Sequence, residues 1–318
     1  MRQRAHIFTT RLQAAKTCCG RPFVNAATRS LRSALVAVDE PHLVELGQGV
    51  YALVNPRPRF GRSNVGLVID PDGLTVIDTS ATPTQAAVFA EAINSLTRDL
   101  ALPVRRVVLT SSRVAFSGGS QRFWAAGFYG SEATSAQLDA PANPEALRRL
   151  LPDFASEYTD EFTTRPVTHI VSEAVQLTPA ALAVPLIGES ASNLAVFVES
   201  ANVVFAGALA SFRVTPLAYG GYPREWVNSL TQLAETGATI VPGHGPVGGT
   251  VDLNDLIGYL DACRQAGSEA TLNPGPWQEW SDHRFDAINI ERARLLTDGR
   301  DEVPKSMLTL LGMGGDGE

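Results

Sequence analysis

The strongest constraint on the fold is a switch of hydrophobic period inside one short stretch. Residues 64–80, "NVGLVIDPDGLTVIDTS", place two apolar runs around the turn Asp70-Pro71-Asp72-Gly73, which predicts a β-hairpin. Immediately afterwards Thr82-Pro83-Thr84-Gln85 has the form of a capping box with proline at the first helical position. Ala86, Phe89, Ala90, Ile93 and Leu96 then recur at helical spacing, so a helix is expected over 83–98. A chain that turns from period two to period 3.6 in this way must lay a helix on a sheet.

The same order appears twice. "VRRVVLTS" (104–111) is a short buried strand that ends in a polar loop, Ser111 to Ser117, and opens onto Gly118-Gly119 and a helix through Phe123 and Trp124. Residues 131–165 read as helical. Strands return at 168–177, 181–188, 193–198 and 202–206, followed by an amphipathic helix from Pro223 to Glu235 carrying Trp226, Leu230 and Leu233. The strand "ATIV", the tight loop Pro242-Gly243-His244-Gly245-Pro246, and helices at 252–265 and 283–296 complete two αβ halves, which is an α/β arrangement. No internal repeat of solenoid period is present.

Charge divides the chain unevenly. The first 38 residues carry seven basic side chains and no acid, leaving 19 basic against 33 acidic residues in the remainder. An acidic body lacks the clustered Lys and Arg that track phosphates, so nucleic acid is excluded as a partner and a small molecule is favoured. The Arg-rich, acid-free leader resembles a mitochondrial presequence, but a loose bacterial extension or an over-long gene start is the favoured reading, because two lysines against 24 arginines suggest a GC-rich, often bacterial genome. Apolar windows fall short of a bilayer span, so no membrane partner is expected. Three cysteines build neither a disulfide framework nor a zinc finger, which points to a cytoplasmic protein, or to the mitochondrial matrix in a eukaryotic source. The domain organisation read from these features is a basic extension over 1–40, one domain over 41–300 and a flexible tail over 301–318. A homo-oligomer is left open.

Four anchors carry a resemblance to a known family: the paired strands ending in "VIDTS", the strand-loop-"SGG" unit at 107–124, the hairpin ending in "VVFAGALA", and "VPGHGP". In order and spacing they resemble the metallo-β-lactamase superfamily over 43–297, which implies a four-layer αββα sandwich. In that family the loop before the glycine pair reads HxHxDHxGG, and its side chains bind zinc ions that activate water. Aligned on its glycines, this chain has Ser111, Arg113, Ala115 and Phe116 where the three histidines and the aspartate stand. Glu189 takes the place of the next family histidine and Ala208 that of a bridging aspartate, while His244 alone matches. The resemblance therefore implies a site without a metal or other cofactor, in which Arg113 replaces a cation, Glu189 pairs with it, and Phe116 fills the second metal position.

The remaining polar groups suggest a metal-independent enzyme of lyase, cyclase or hydrolase type acting on an anionic or phenolic small molecule. Arg113 beside the Gly118-Gly119 helix start is an anion site in this reading. His244 is the candidate proton shuttle, with Ser111 and Glu189 as nucleophile and orienting acid if the three meet. Ser112, Arg59, Arg62, Arg213, Tyr219 and Tyr222 are candidate substrate contacts. The competing reading is a noncatalytic pseudoenzyme, a ligand sensor or interaction scaffold. A third keeps one metal on Glu189 and His244.

Overall fold

The computed structural model describes residues 40–266 and 271–313, so the basic leader read above as targeting-like lies outside the described residues. Strands β1 (His42–Gly47), β2 (Val50–Val54), β3 (Val65–Asp70) and β4 (Gly73–Ile77) form an antiparallel meander. To it β5 (Val104–Val108), β6 (Gly127–Gly130) and β7 (His169–Ile170) add in parallel, making a seven-stranded sheet. A second sheet of five strands runs β12 (Thr239–His244), β11 (Val203–Ser211), β10 (Asn193–Val198), β9 (Leu182–Leu186), β8 (Val175–Gln176). Only its β11–β12 pair is parallel.

Alternation along the strands sorts the side chains into two cores. Val50, Ala52, Val68, Ile77 and Val108 face the second sheet and pack on Ala183, Leu194, Val196, Val203 and Phe205. Their neighbours Leu53, Leu67, Leu74, Val76 and Val107 face outward and are covered by Phe89, Ala90 and Ile93 of helix α1 (Pro83–Thr97). Each fully buried Phe or Ile there contributes about 1.5–3 kcal/mol. The start of α1 is held by Thr82, whose hydroxyl accepts from Gln85 N–H at 3.2 Å. After the short helices α2 (Val114–Ser117), α3 (Glu132–Leu138) and α4 (Pro144–Leu150), helices α5 (Pro223–Glu235) and α6 (Thr250–Gln265) complete the four-layer αββα sandwich. The Trp226 indole of α5 donates to Leu209 O of β11 at 2.8 Å. No helix among the described residues is long and apolar enough to cross a membrane.

Three expectations are corrected. The single strand over 168–177 is two dipeptides, β7 and β8, on different sheets, because the chain crosses from one sheet to the other there. The helix expected to open at Gly118-Gly119 is a single turn, α2, ahead of the glycines, with a 3₁₀ turn (Ser120–Phe123) after them. The segment expected to be a flexible tail is docked as far as residue 313. Arg292, on α7 (Asp286–Thr297), is buried and donates to Gly221 O at 2.9 Å, Glu302 O at 2.8 Å and Asp301 Oδ1 at 2.7 Å. Glu291 accepts from Lys305 N and Ser306 N, fixing the start of α8 (Lys305–Leu310), and Met307 of that helix is buried beside Leu150, Tyr158, Leu217 and Ile288.

A docked segment makes Met307→Ala cost about 2–5 kcal/mol in urea unfolding, the usual range for emptying a methionine site in a core. A loose tail would leave the midpoint unchanged.

Candidate functional site

The site is built where the carboxyl end of β5 meets the second sheet. Thr110 donates its N–H to Asp78 Oδ1 and its hydroxyl to Asp78 Oδ2, both at 2.8 Å. Its hydroxyl oxygen also accepts from Ala208 N at 3.1 Å, and its carbonyl from Leu194 N at 3.1 Å. Asp78 follows β4 in the left-handed backbone region, with φ of 60°, a conformation Asp tolerates better than most residues. Burial pushes its pKa up to about 8, outweighing the two Thr110 hydrogen bonds that favour the carboxylate.

One residue further along, Ser111 is fully buried and donates its hydroxyl to Glu189 Oε2 at 2.8 Å. Glu189 lies in the turn between β9 and β10, and the same oxygen accepts from Asn193 Nδ2 at 3.2 Å. Its Oε1 accepts from Arg113 Nε, closing an ion pair that links the two halves of the fold. The Arg113 guanidinium lies over the Tyr219 ring, with Cζ 3.7 Å from the centroid. A Cβ at residue 220 would come within 2.6 Å of Arg113 Nη2, so Gly220 allows this close approach.

His244, at the end of β12, does not complete a triad with Ser111 and Glu189. Its Nε2 accepts from Gly61 N–H at 3.3 Å, so the neutral ring carries its hydrogen on Nδ1. Phe60 stacks on it at 5.2 Å and Phe116 meets it edge-on at 5.5 Å. Burial lowers its pKa to about 3. The Phe116 ring packs on Ala115 and Ala208 and lies against Gly243, so this corner is filled by hydrocarbon.

In front of these groups lies a cavity of about 280 Å³. Arg113, Glu189, Ser112, Tyr219 and His244 contribute to its lining, and Phe60, Phe162, Leu147, Leu150 and Leu217 give it an apolar wall. Several expected contacts stand elsewhere. Gly118 and Gly119 do not form an anion cradle, because their N–H groups are bonded to Val114 O and Ser80 O. Cβ atoms at these glycines would lie 1.9 Å from Ala81 O and 2.2 Å from Thr79 O, so the pair serves close packing. Arg59 pairs with Asp153 at 3.6 Å and Arg62 lies over Phe154, both outside the cavity. Arg213 is exposed, and Tyr222 donates to Asp301 at 2.9 Å. Asn193 and the wall formed by residues 137–143 were not anticipated, since neither carries a motif. Glu189 and His244 are the metal-capable side chains in the cavity. Among the described residues no three His, Cys, Asp or Glu side chains gather as a group that would hold a metal ion.

No protein-family model matches the sequence. Solved structures do match. A metallo-β-lactamase from Pontibacter korlensis superposes with a TM-score of 0.52 at 17% identity, covering 70% of this chain and 99% of that one. The mono-zinc form of a Pseudomonas aeruginosa metallo-β-lactamase gives 0.52 at 18%, covering 70% and 96%. One from Hirschia baltica gives 0.51 at 17%, covering 69% and 97%. The chain has the metallo-β-lactamase fold. Identities this low carry the likeness no further than architecture.

The two shifted groups make opposite demands on stability. Asp78 keeps its proton up to about 8 when folded and releases it near 3.8 when unfolded, so its contribution is complete below pH 4 and is lost as pH rises to 8. His244 stays neutral down to about 3 when folded but protonates near 6.5 when unfolded, so its contribution is complete above 6.5 and is lost as pH falls. Subtracting the Asp78→Asn curve from wild type should leave a decline on the order of 1 kcal/mol per pH unit between pH 4 and 8. The His244→Gln difference should slope the opposite way, by about the same amount per unit, between 6.5 and 3. Urea titrations at each pH measure both, and parallel curves would remove the burial argument.

Proposed function

We propose that this chain is a metal-independent small-molecule-binding protein on the metallo-β-lactamase fold. Its ligand has an apolar, partly aromatic body and an oxygen acceptor that meets Arg113. The observation that carries the reading is the Arg113 guanidinium itself, held by Glu189 and stacked on Tyr219 at the edge of an apolar-walled cavity. That position is one at which the family resemblance expects a metal-binding imidazole, and a fixed cation there opposes a second one by Coulomb repulsion. Glu189, a donor that a lone metal would need, already accepts from Arg113, Ser111 and Asn193. The residues present therefore fit a dinuclear zinc site poorly.

Binding is favoured over turnover by the same contacts. A nucleophile must reach substrate, and Ser111 is fully buried with its hydroxyl committed to Glu189. A general base needs a free lone pair near its operating pH, and His244 Nε2 is occupied by Gly61 N–H with the pKa far below neutrality. This supports the ligand-sensor alternative over a lyase, cyclase or hydrolase.

The test is calorimetric binding of a fragment set of aromatic amides, phenols and acids to the full chain, before and after chelation, with metal content measured on the same sample. Binding should survive chelation. Replacing the pair together, Arg113→Met with Glu189→Gln, avoids stranding a buried charge and should weaken the fragments that bind by about tenfold or more. A stoichiometric transition metal whose removal abolishes binding would overturn the proposal.

A further inference from the structure

The charge state of the ligand can be read from the lining, given the ligand-site reading above. Arg113 and Glu189 are the formally charged side chains among the lining residues, and they are already paired with each other. The Glu189 carboxylate receives three donors, Arg113 Nε on Oε1 and the Ser111 hydroxyl and Asn193 Nδ2 on Oε2. His244, also in the lining, is a neutral imidazole that supplies no positive charge near neutral pH. The amides of Gly118 and Gly119, the other expected source of positive potential, are bonded internally.

A carboxylate entering this cavity would place a second negative group on a guanidinium that already holds one. Its lost hydration would be repaid by a pair whose charge is already cancelled, beside the apolar surfaces of Phe60, Phe162 and Leu217. A neutral carbonyl or phenol oxygen loses much less hydration and needs only an N–H to accept from. Arg113 has one nitrogen committed to Glu189, and its planar fork offers donors on the others. In the same lining the Ser112 hydroxyl donates to Gln137 Oε1, which leaves the Ser112 oxygen lone pairs to accept from the N–H₂ of a carboxamide or the O–H of a phenol, while Asn143 Oδ1 is taken by Ala146 N.

We propose that the cavity selects an uncharged ligand, an aromatic or aryl-alkyl carboxamide or phenol, over the carboxylate of the same shape, and that Glu189 sets this selectivity by neutralising Arg113 from within.

The experiment compares 3-phenylpropionamide, 4-ethylphenol and 3-phenylpropionate by isothermal titration calorimetry on the full chain at neutral pH. Wild type should bind the amide and the phenol about tenfold or more tighter than the carboxylate. Glu189→Gln removes the internal counter-charge while keeping a hydrogen-bonding side chain, and it should raise carboxylate affinity about tenfold or more over wild type. Equal or tighter carboxylate binding by wild type overturns the selectivity and leaves the ligand site standing. If none of the three probes binds wild type, the ligand-site reading fails and this inference falls with it. The wild-type ranking decides even if Glu189→Gln does not fold.

Discussion

Thr110 bonds the two sheets to each other, and the ends of β5 and β10 that carry Ser111, Arg113 and Asn193 are set against one another there. Thr110 is bonded through its amide and hydroxyl to Asp78 at the end of β4, and through its hydroxyl oxygen and carbonyl to β11 and β10 of the other sheet. Such a crossing inside a dry interior carries a cost. Among the described residues no cation pairs with Asp78, and the lifted pKa records the penalty for burying its charge. The hydrogen bonds offset that penalty by holding Ser111 to Arg113 in one register against the β9–β10 turn. A sheet interface made only of Val and Leu would slide more easily, because dispersion has no preferred register.

From that fixed edge the ion pair follows. Arg113 and Glu189 are both largely withdrawn from water, and a pair so placed adds little net stability, since desolvating both ions cancels most of their attraction. Its value lies in geometry. The guanidinium is confined by Glu189 on one side, by the Tyr219 ring on its face and by the Gly220 backbone next to Nη2. A flexible arginine loses rotamer entropy when it meets a ligand, and this one has lost that freedom on folding.

How far the fold was legible depends on how local each signal was. The 70–73 turn and the Thr82 cap act over four residues, and both stand where their chemistry puts them, as does β10 at 193–198. The 168–177 segment was misread because the crossing between sheets leaves no mark on period; β7 and β8 are two residues each. The C-terminal segment carries apolar residues of its own, Met307, Leu308, Leu310 and Leu311, but what docks it, Arg292 and the pocket around Met307, lies on other elements. In the site, Arg113 and Glu189 were legible through the family spacing, which brings 113 and 189 to one place regardless of chemistry. Asn193 was not, since an asparagine opening a strand carries no sign that it will reach back four residues to a carboxylate. Gly118 and Gly119 show the opposite error. Paired glycines suggest exposed amides for an anion, whereas these lack side chains so that the 79–82 turn can pack on them.

This last misreading bears on how charge is distributed in the cavity. Strand ends and loop amides in a sandwich of this kind converge on one edge whatever residues they carry, so the architecture guarantees a hollow but leaves its potential undetermined. Here each source of field is cancelled close to its origin. The glycine amides face carbonyls, the imidazole is uncharged, Asp78 faces Thr110, and the one guanidinium has its own carboxylate. Inside a low-dielectric wall such local cancellation matters more than the net charge of the whole chain, because water does not screen an error in pairing. In the ligand-site reading we propose, a ligand is then discriminated by shape and by the direction of its hydrogen bonds, and its own formal charge is a liability.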